Sequence, residues 1–168
     1  QFLDASRRAL QRRQQLRRAL ALLIPVAAVL LYAGYQFKQK HDLRVRVDAQ
    51  LAAGQRFLVD AKQVGQSYAD LRTRAFNQFD TENRDKGELL WAQAQEKLAE
   101  QDDFYAHAIQ SLEVGFTLDS TRADVRSALS ESLYSRAITA EFESNTAKLK
   151  DLLSRLTIYD ANRQFTSQ

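Results

Sequence analysis

The residues that could carry out chemistry are few and are spread along the chain. His107 follows Asp103 by one helical turn, a spacing typical of a surface hydrogen bond, and His41 stands among basic residues. No third ligand stands at helical spacing from either histidine, so the sequence does not favour a metal site. The chain has no cysteine, which excludes thiolate ligands and disulfides.

Motifs for catalysis and phosphate binding are also missing from the sequence. No serine stands with a histidine and a carboxylate in a recognised pattern, and the five glycines are isolated from one another. Carboxylates on helices rich in lysine and arginine are typical of solvated ion pairs. Trp91 lies on a heptad seam, where it is expected in the core rather than under a ligand. We therefore expect a non-enzymatic chain without a cofactor, a metal or a small-molecule substrate.

The stretch around which the rest of the chain is arranged is an apolar run over residues 19–37, which contains no charged residue. As a helix it would be about 28 Å long, close to the ~30 Å hydrocarbon core of a bilayer, so we predict a single transmembrane helix. A buried core helix and a cleaved signal peptide are the alternatives. The flanking arginines disfavour the first, and the absence of a small-residue cleavage site disfavours the second. The predicted anchor residues include Leu20, Leu23, Pro25, Leu30, Tyr32 and Tyr35.

The charge of the chain is distributed unevenly around this run. The total is +3, but residues 1–18 hold six arginines against Asp4 and so carry +5, which leaves −2 for residues 38–168. A basic segment against an apolar span indicates contact with a bilayer that contains anionic lipids, and it does not favour nucleic acid. The bias predicts a cytoplasmic N-terminus. The basic flank is centred on Arg12, Arg13, Arg17 and Arg18.

Beyond the run, apolar and small residues recur at alternating spacings of three and four. These spacings predict two helices, over about 38–80 and 88–118, joined by a charged turn at Thr81–Glu88 and therefore antiparallel. Gly54 and Gly65 stand on the first seam, where small residues allow close approach of a partner helix. The seams fit an intrachain hairpin and a homodimeric coiled coil equally well. The seam residues are Gly54, Leu58, Gly65 and Tyr68, followed by Trp91, Leu98, Tyr105 and Leu112.

Two shorter helices complete the predicted all-α bundle, which covers residues 38–160. They are expected over about 121–142 and 145–159, as a pair that is TPR-like in shape, with 161–168 as a tail or linker. Thr121 and Asp124 have the spacing of a capping box, and Ser144 or Asn145 is the expected cap of the last helix. The apolar positions of the two helices include Val125, Leu129 and Leu133, then Leu149, Leu152, Leu153 and Leu156.

Four stretches of the chain form a recognisable series, and they are RRALQRRQQLRRALALLIPVAAVLLYAGYQ, LLWAQAQEKL, FTLDSTRADVR and SRLTIYDAN. In this order they resemble the middle region of large myxobacterial-type multidomain regulators. In that family an N-terminal Ser/Thr protein kinase or STAND-type NTPase precedes such an anchor and helical region, and a PEGA-like or formylglycine-generating-enzyme-like domain follows. The resemblance implies a connecting module in a bacterial inner membrane, and it transfers no catalytic residue to this chain.

Three functions are consistent with these patterns. The first is a non-catalytic, membrane-anchored helical module for protein contact or signal transmission, as a fragment of a larger regulator. The second is a segment that tethers and dimerises a membrane-bound Ser/Thr kinase or STAND-type NTPase. The third is a structural subunit of an envelope complex. In each case a protein partner or self-association is expected.

Overall fold

The computed structural model describes the backbone of residues 2–160 and residue 165, and the side chains of residues 31–160 and 165. This part of the chain forms four α-helices and no strand, which confirms the all-α class and the helical bundle. The chain divides into two compact units, Gln1–Arg44 and Val45–Gln168, and each is described by itself. The helices are α1 (Phe2–Asp80), α2 (Arg84–Leu118), α3 (Ala123–Phe142) and α4 (Thr146–Tyr159).

The first unit contains the N-terminal part of α1. The helices that we expected over 19–37 and 38–80 both belong to this one helix. Where side chains are described, no helix is long and apolar enough to cross a membrane. Residues 19–30, which hold most of the apolar run, lie outside the described side chains.

The turn between α1 and α2 is shorter than the sequence suggested. We expected a charged turn over Thr81–Glu88, but α2 already begins at Arg84. Helical hydrogen bonding starts at Asn83, whose carbonyl accepts the Gly87 N–H at 3.0 Å. The charges in this stretch suit a helix, because Arg84 and Glu88 form an ion pair of 2.9 Å one turn apart.

Of the caps expected on either side of α3, the one at α4 is present and the capping box before α3 is not. The capping box of Thr121 and Asp124 does not form, because the Asp124 carboxylate binds the Arg122 guanidinium at 2.8 and 2.7 Å. Thr121 instead donates from its backbone N–H to Asp119 Oδ1 at 3.0 Å. The cap of α4 is Asn145, whose side chain accepts a backbone N–H of the first turn.

The core of the second unit lies where α2, α3 and α4 meet. Five leucines there are between 0% and 1% exposed, so each has given up nearly all its contact with water. Burying a leucine side chain is worth about 1.5–3 kcal/mol, which makes this cluster the main apolar contribution to the bundle. The five are Leu112 of α2, Leu129 and Leu133 of α3, and Leu152 and Leu156 of α4.

Candidate functional site

The histidines do not form a chemical site. His41 is exposed and lies 3.9 Å from Asp42. The ring of His107 lies against Phe57 of α1, with 5.4 Å between the ring centroids. The expected hydrogen bond between Asp103 and His107 is not present among the described side chains, because the imidazole faces Phe57. Nor does the described part of the chain contain a group of three or more metal-ligating residues.

The two seams lie against each other, and their register is antiparallel. As the residue number rises along α1 from Gln50 to Phe79, the number of the facing residue on α2 falls from Gly115 to Gly87. The hairpin is therefore closed within one chain over its whole described length. The facing pairs are Gln50 and Gly115, Leu58 and Tyr105, Phe76 and Trp91, and Phe79 and Gly87.

At Gly54 and Gly65 an added side chain would collide with a side chain of α2. A Cβ added at Gly54 would lie 2.5 Å from Leu112 Cγ, closer than Cβ atoms come to their neighbours. A Cβ added at Gly65 would meet the side-chain amide of Gln101. Both glycines face α2 of their own chain, which is the intrachain hairpin, one of the two arrangements that the seam pattern allowed.

Toward its turn the hairpin is less well buried. Trp91, expected in the core, is half-buried, and its ring meets that of Phe76 edge-to-face at 5.8 Å. Phe76 is 47% exposed, and the Arg72 guanidinium lies over its ring at 5.6 Å. Tyr68 and Gly65 are also half-buried. The seam residues that are fully buried are Gly54, Leu58, Leu98, Tyr105 and Leu112.

An open groove of about 540 Å³ lies where α3 ends beside the hairpin. Tyr68 of α1 and Leu98 of α2 form one wall, and Ile138 and Phe142 of α3 form the other. Phe142 is 73% exposed although it is large and apolar. The volume falls in the ~300–1,000 Å³ range of ligand sites, and exposed apolar patches of this kind mark interaction surfaces. No local pattern of residues indicates this groove, because it depends on where α3 ends relative to the hairpin.

Polar groups stand at intervals along the groove. Gln66 and Gln101 line it, and among the described residues neither amide is hydrogen-bonded. A carboxamide donates and accepts, as a peptide group does, so these side chains suit a polypeptide main chain. At one end the Lys62 ammonium binds the Glu131 carboxylate at 2.8 Å, and this hydrogen bond raises the pKa of Lys62. The arrangement can bind a mostly apolar segment.

A partly buried cluster of charges joins α2, α3 and α4 near the groove. Asp102 Oδ1 and Oδ2 accept from Arg136 at 2.8 and 3.0 Å, and Asp102 Oδ1 also lies 2.7 Å from Lys148 Nζ. Lys148 in turn lies 3.2 Å from Glu143. Burial opposes the charge on Asp102, but the hydrogen bonds from Arg136 and Lys148 outweigh it, so its pKa is lowered. Because each carboxylate has a cation, we interpret the cluster as structural.

The predicted membrane residues are described only in part. Tyr32 and Tyr35 are each 66% exposed, and Gln36 Nε2 donates to the Tyr32 hydroxyl at 2.9 Å. The remaining predicted anchor and basic-flank residues lie outside the described side chains. These are Leu20, Leu23, Pro25 and Leu30, and Arg12, Arg13, Arg17 and Arg18.

Comparison of the chain with protein-family models, with curated proteins and with solved structures found no match.

Proposed function

We propose that this chain is a non-catalytic, single-pass membrane module whose helical bundle contacts another protein. The observation that carries the proposal is a collar of exposed apolar side chains on α1, at the end of the apolar run. The collar consists of Leu31, Tyr32, Tyr35 and Phe37. Each of these side chains is between 66% and 76% exposed.

The collar suits lipid better than water. At about 100° per residue, its four side chains spread over more than half of the helix circumference. A helix in a soluble protein turns its large apolar side chains toward one buried face, whereas a helix in a bilayer presents them in all directions. Tyrosine favours the membrane–water boundary, where its ring meets lipid and its hydroxyl meets polar groups.

Cations bracket the proposed membrane segment. Lys38 and Lys40 follow the collar directly, and the arginines of residues 1–18 precede the apolar run. Cations at both ends of a span lie at the level of the headgroups, and they favour anionic lipids. On this proposal the greater basic charge of residues 1–18 keeps that end in the cytoplasm.

The groove beside α3 supports the second part of the proposal, contact with another protein. Phe142 and Ile138 expose apolar surface there, and Gln66 and Gln101 offer hydrogen bonds to a main chain. A partner segment that covered the groove would remove this surface from water, which is the usual driving force of association.

Reconstitution of the full chain into sealed vesicles tests the anchoring. We expect the chain to float with the vesicles after an alkaline wash, and external protease to reach only one end. Ala28→Arg, near the middle of the run, should reduce insertion, because a charge at that depth costs about 2.5–3.5 kcal/mol. Ala99→Arg, on an exposed face of α2, is the matched control. Cleavage of both ends from the same side would contradict a single span.

A photo-crosslinking side chain tests the groove in native membranes. Placed at Phe142, it should form a specific adduct with a second protein, and placed at Ala99 it should not. Tyr68→Lys, which puts a charge in the groove, should abolish the adduct if the partner lies there. An adduct of equal yield at both positions would show that the contact is random.

A further inference from the structure

A second stripe of residues runs along α1 on the side away from α2. Its members are separated by alternating spacings of four and three, as on the inner seam, but every one of them is exposed. We refer to it as the outer stripe. It consists of Val45, Ala49, Ala52, Arg56 and Val59.

The outer stripe lies almost opposite the buried seam. At about 100° per residue, its mean direction is roughly 160° from that of the seam residues 47–61. The exposures agree with this geometry, since Val45 and Val59 are 53% and 62% exposed whereas Val47 and Leu58 are 1% and 5% exposed. Two β-branched apolar side chains separated by two heptads therefore face water on a helix that already has a complete core on its other side.

We infer that the outer stripe is a homodimer interface, in which α1 of one copy pairs in parallel with α1 of a second copy. Alternating spacings of three and four are the requirement for two helices to pack knobs into holes. Ala49 and Ala52 allow close approach between the helix axes. The parallel direction rests on the proposed function, because two copies anchored in one membrane have the same orientation and a high effective concentration.

The charges beside the stripe make it complementary to itself. Arg56 and Asp60 line a shallow depression of about 340 Å³ together with Ala52 and Val59. The two residues are one turn apart, but they form no ion pair with each other or with any described residue. In a parallel pair, Asp60 of one copy lies about 6 Å along the axis from Arg56 of the other. The arginine side chain spans that distance, so each surface provides the counter-charge of the other.

Arg56 also explains why a second copy suits the stripe better than an apolar partner helix. A charged residue at a core position of a coiled coil costs stability, and it selects register and the number of strands. A stripe whose cation, Arg56, is followed one turn later by an anion, Asp60, is complementary to a second copy of the same stripe related to it by a two-fold axis. The pairing should be weak without the membrane, because the stripe covers fewer than three heptads.

Cysteine crosslinking of the full chain in vesicles tests this inference. The chain has no native cysteine, so a single introduced thiol reports on one position only. Val59→Cys should form a disulfide-linked dimer on mild oxidation, several-fold faster than Ala99→Cys on the exposed face of α2. Both substitutions replace exposed side chains and should leave folding intact. Equal rates at the two positions would overturn the inference.

A charge exchange gives a second, independent result. Arg56→Asp, combined with Val59→Cys, should slow crosslinking several-fold, because it sets Asp60 of the partner copy beside another carboxylate. Adding Asp60→Arg should restore the rate, whereas no rescue would contradict the pairing. Flotation of the same vesicles separates the two proposals. If Val59→Cys alone crosslinks no faster than Ala99→Cys in a chain that floats, the dimer is rejected and the anchor is kept. A chain that does not float rejects the anchor.

Discussion

The contact between α1 and α2 and the junction of α2, α3 and α4 are packed with different kinds of residue. Along the hairpin, buried positions of α1 hold small residues such as Gly54 and Ala61, and a Cβ added at Gly54 would collide with the Leu112 side chain. At the junction the space is filled by leucines, with an ion cluster centred on Asp102 at its edge. The hairpin should therefore fail when a side chain is enlarged, and the junction should fail when one is reduced.

The largest expected effect comes from a reduction at the junction. Leu133→Ala removes a side chain that is 0% exposed, and it should lower the free energy of unfolding by about 2–5 kcal/mol through lost burial and a cavity. Urea unfolding of the full chain in mild detergent, followed by circular dichroism, measures this. Leu153→Ala is the matched control, because Leu153 is 43% exposed and its loss should cost much less. Equal losses would contradict the proposed core.

The ion cluster should come next. Asp102→Asn keeps the shape of the side chain but removes the charge that holds Arg136 and Lys148. Hydrogen bonds to charged groups contribute about 1.5–3 kcal/mol, so a loss in this range is expected in the same unfolding experiment. Asp70→Asn is the control, because the pair between Asp70 and Arg74 is exposed and 3.5 Å long. Its loss should cost less than about 1 kcal/mol. If the cluster did not stabilise the fold, the urea unfolding curves of Asp102→Asn and Asp70→Asn would be indistinguishable.

An enlargement tests the hairpin. Gly54→Ala puts a methyl group 2.5 Å from Leu112 Cγ, and overpacking of this kind costs about 1–3 kcal/mol. Alanine has a higher helix propensity than glycine, which offsets about 1 kcal/mol of this cost. The free energy of unfolding should therefore fall by a net amount on the order of 1 kcal/mol. Gly65→Ala is the informative counterpart, because there the methyl group meets only the end of the Gln101 side chain, which can rotate away. It should leave stability unchanged or raise it. A loss at Gly65 as large as that at Gly54 would show that Gln101 is fixed in place.

Fluorescence can locate these effects, because Trp91 is the only tryptophan. It lies on the hairpin near the turn, against Phe76. If a substitution at the junction unfolds α3 and α4 before the hairpin, the circular dichroism signal should begin to change at a lower urea concentration than the Trp91 fluorescence. Coincident transitions would mean that the two regions unfold together.

The spacing of apolar residues and the composition of the chain were enough to predict the all-α class and the positions of the seams. Alternating spacings of three and four depend only on the helical period, and glycine and proline are rare, so the helices at Leu58 and Tyr105 could be recognised from the sequence alone. The same spacings could not choose between a partner in the chain and a partner outside it. That choice depends on the turn at residues 81–83, which brings α2 back onto the seam face of α1. The outer stripe, on the opposite face of α1, remains exposed.

Contacts between distant residues explain what the sequence did not predict. Asp102 and Arg136 are 34 positions apart, and nothing in either local pattern distinguishes them from other surface charges. The groove likewise depends on the end of α3 at Phe142 beside a longer hairpin. Asp124 fits a capping box by spacing, yet a stronger partner, Arg122, takes its carboxylate.

The smallest expected effect is the pH dependence of the junction. The pKa of Asp102 is lowered in the folded chain, so at acid pH the unfolded chain binds more protons than the folded chain. The free energy of unfolding therefore decreases as the pH is lowered. This contribution is complete above about pH 5 and is lost as the pH falls through the folded pKa. Asp102→Asn removes it, so the unfolding midpoint of this variant should fall less steeply in acid than that of the parent chain. Gly54→Ala leaves the cluster intact and should keep the full slope, although its midpoint is lower at every pH. Parallel curves for the parent and Asp102→Asn would mean that the cluster does not contribute to stability as an ion pair, and the contrast between the two regions would then rest on leucines and glycines alone.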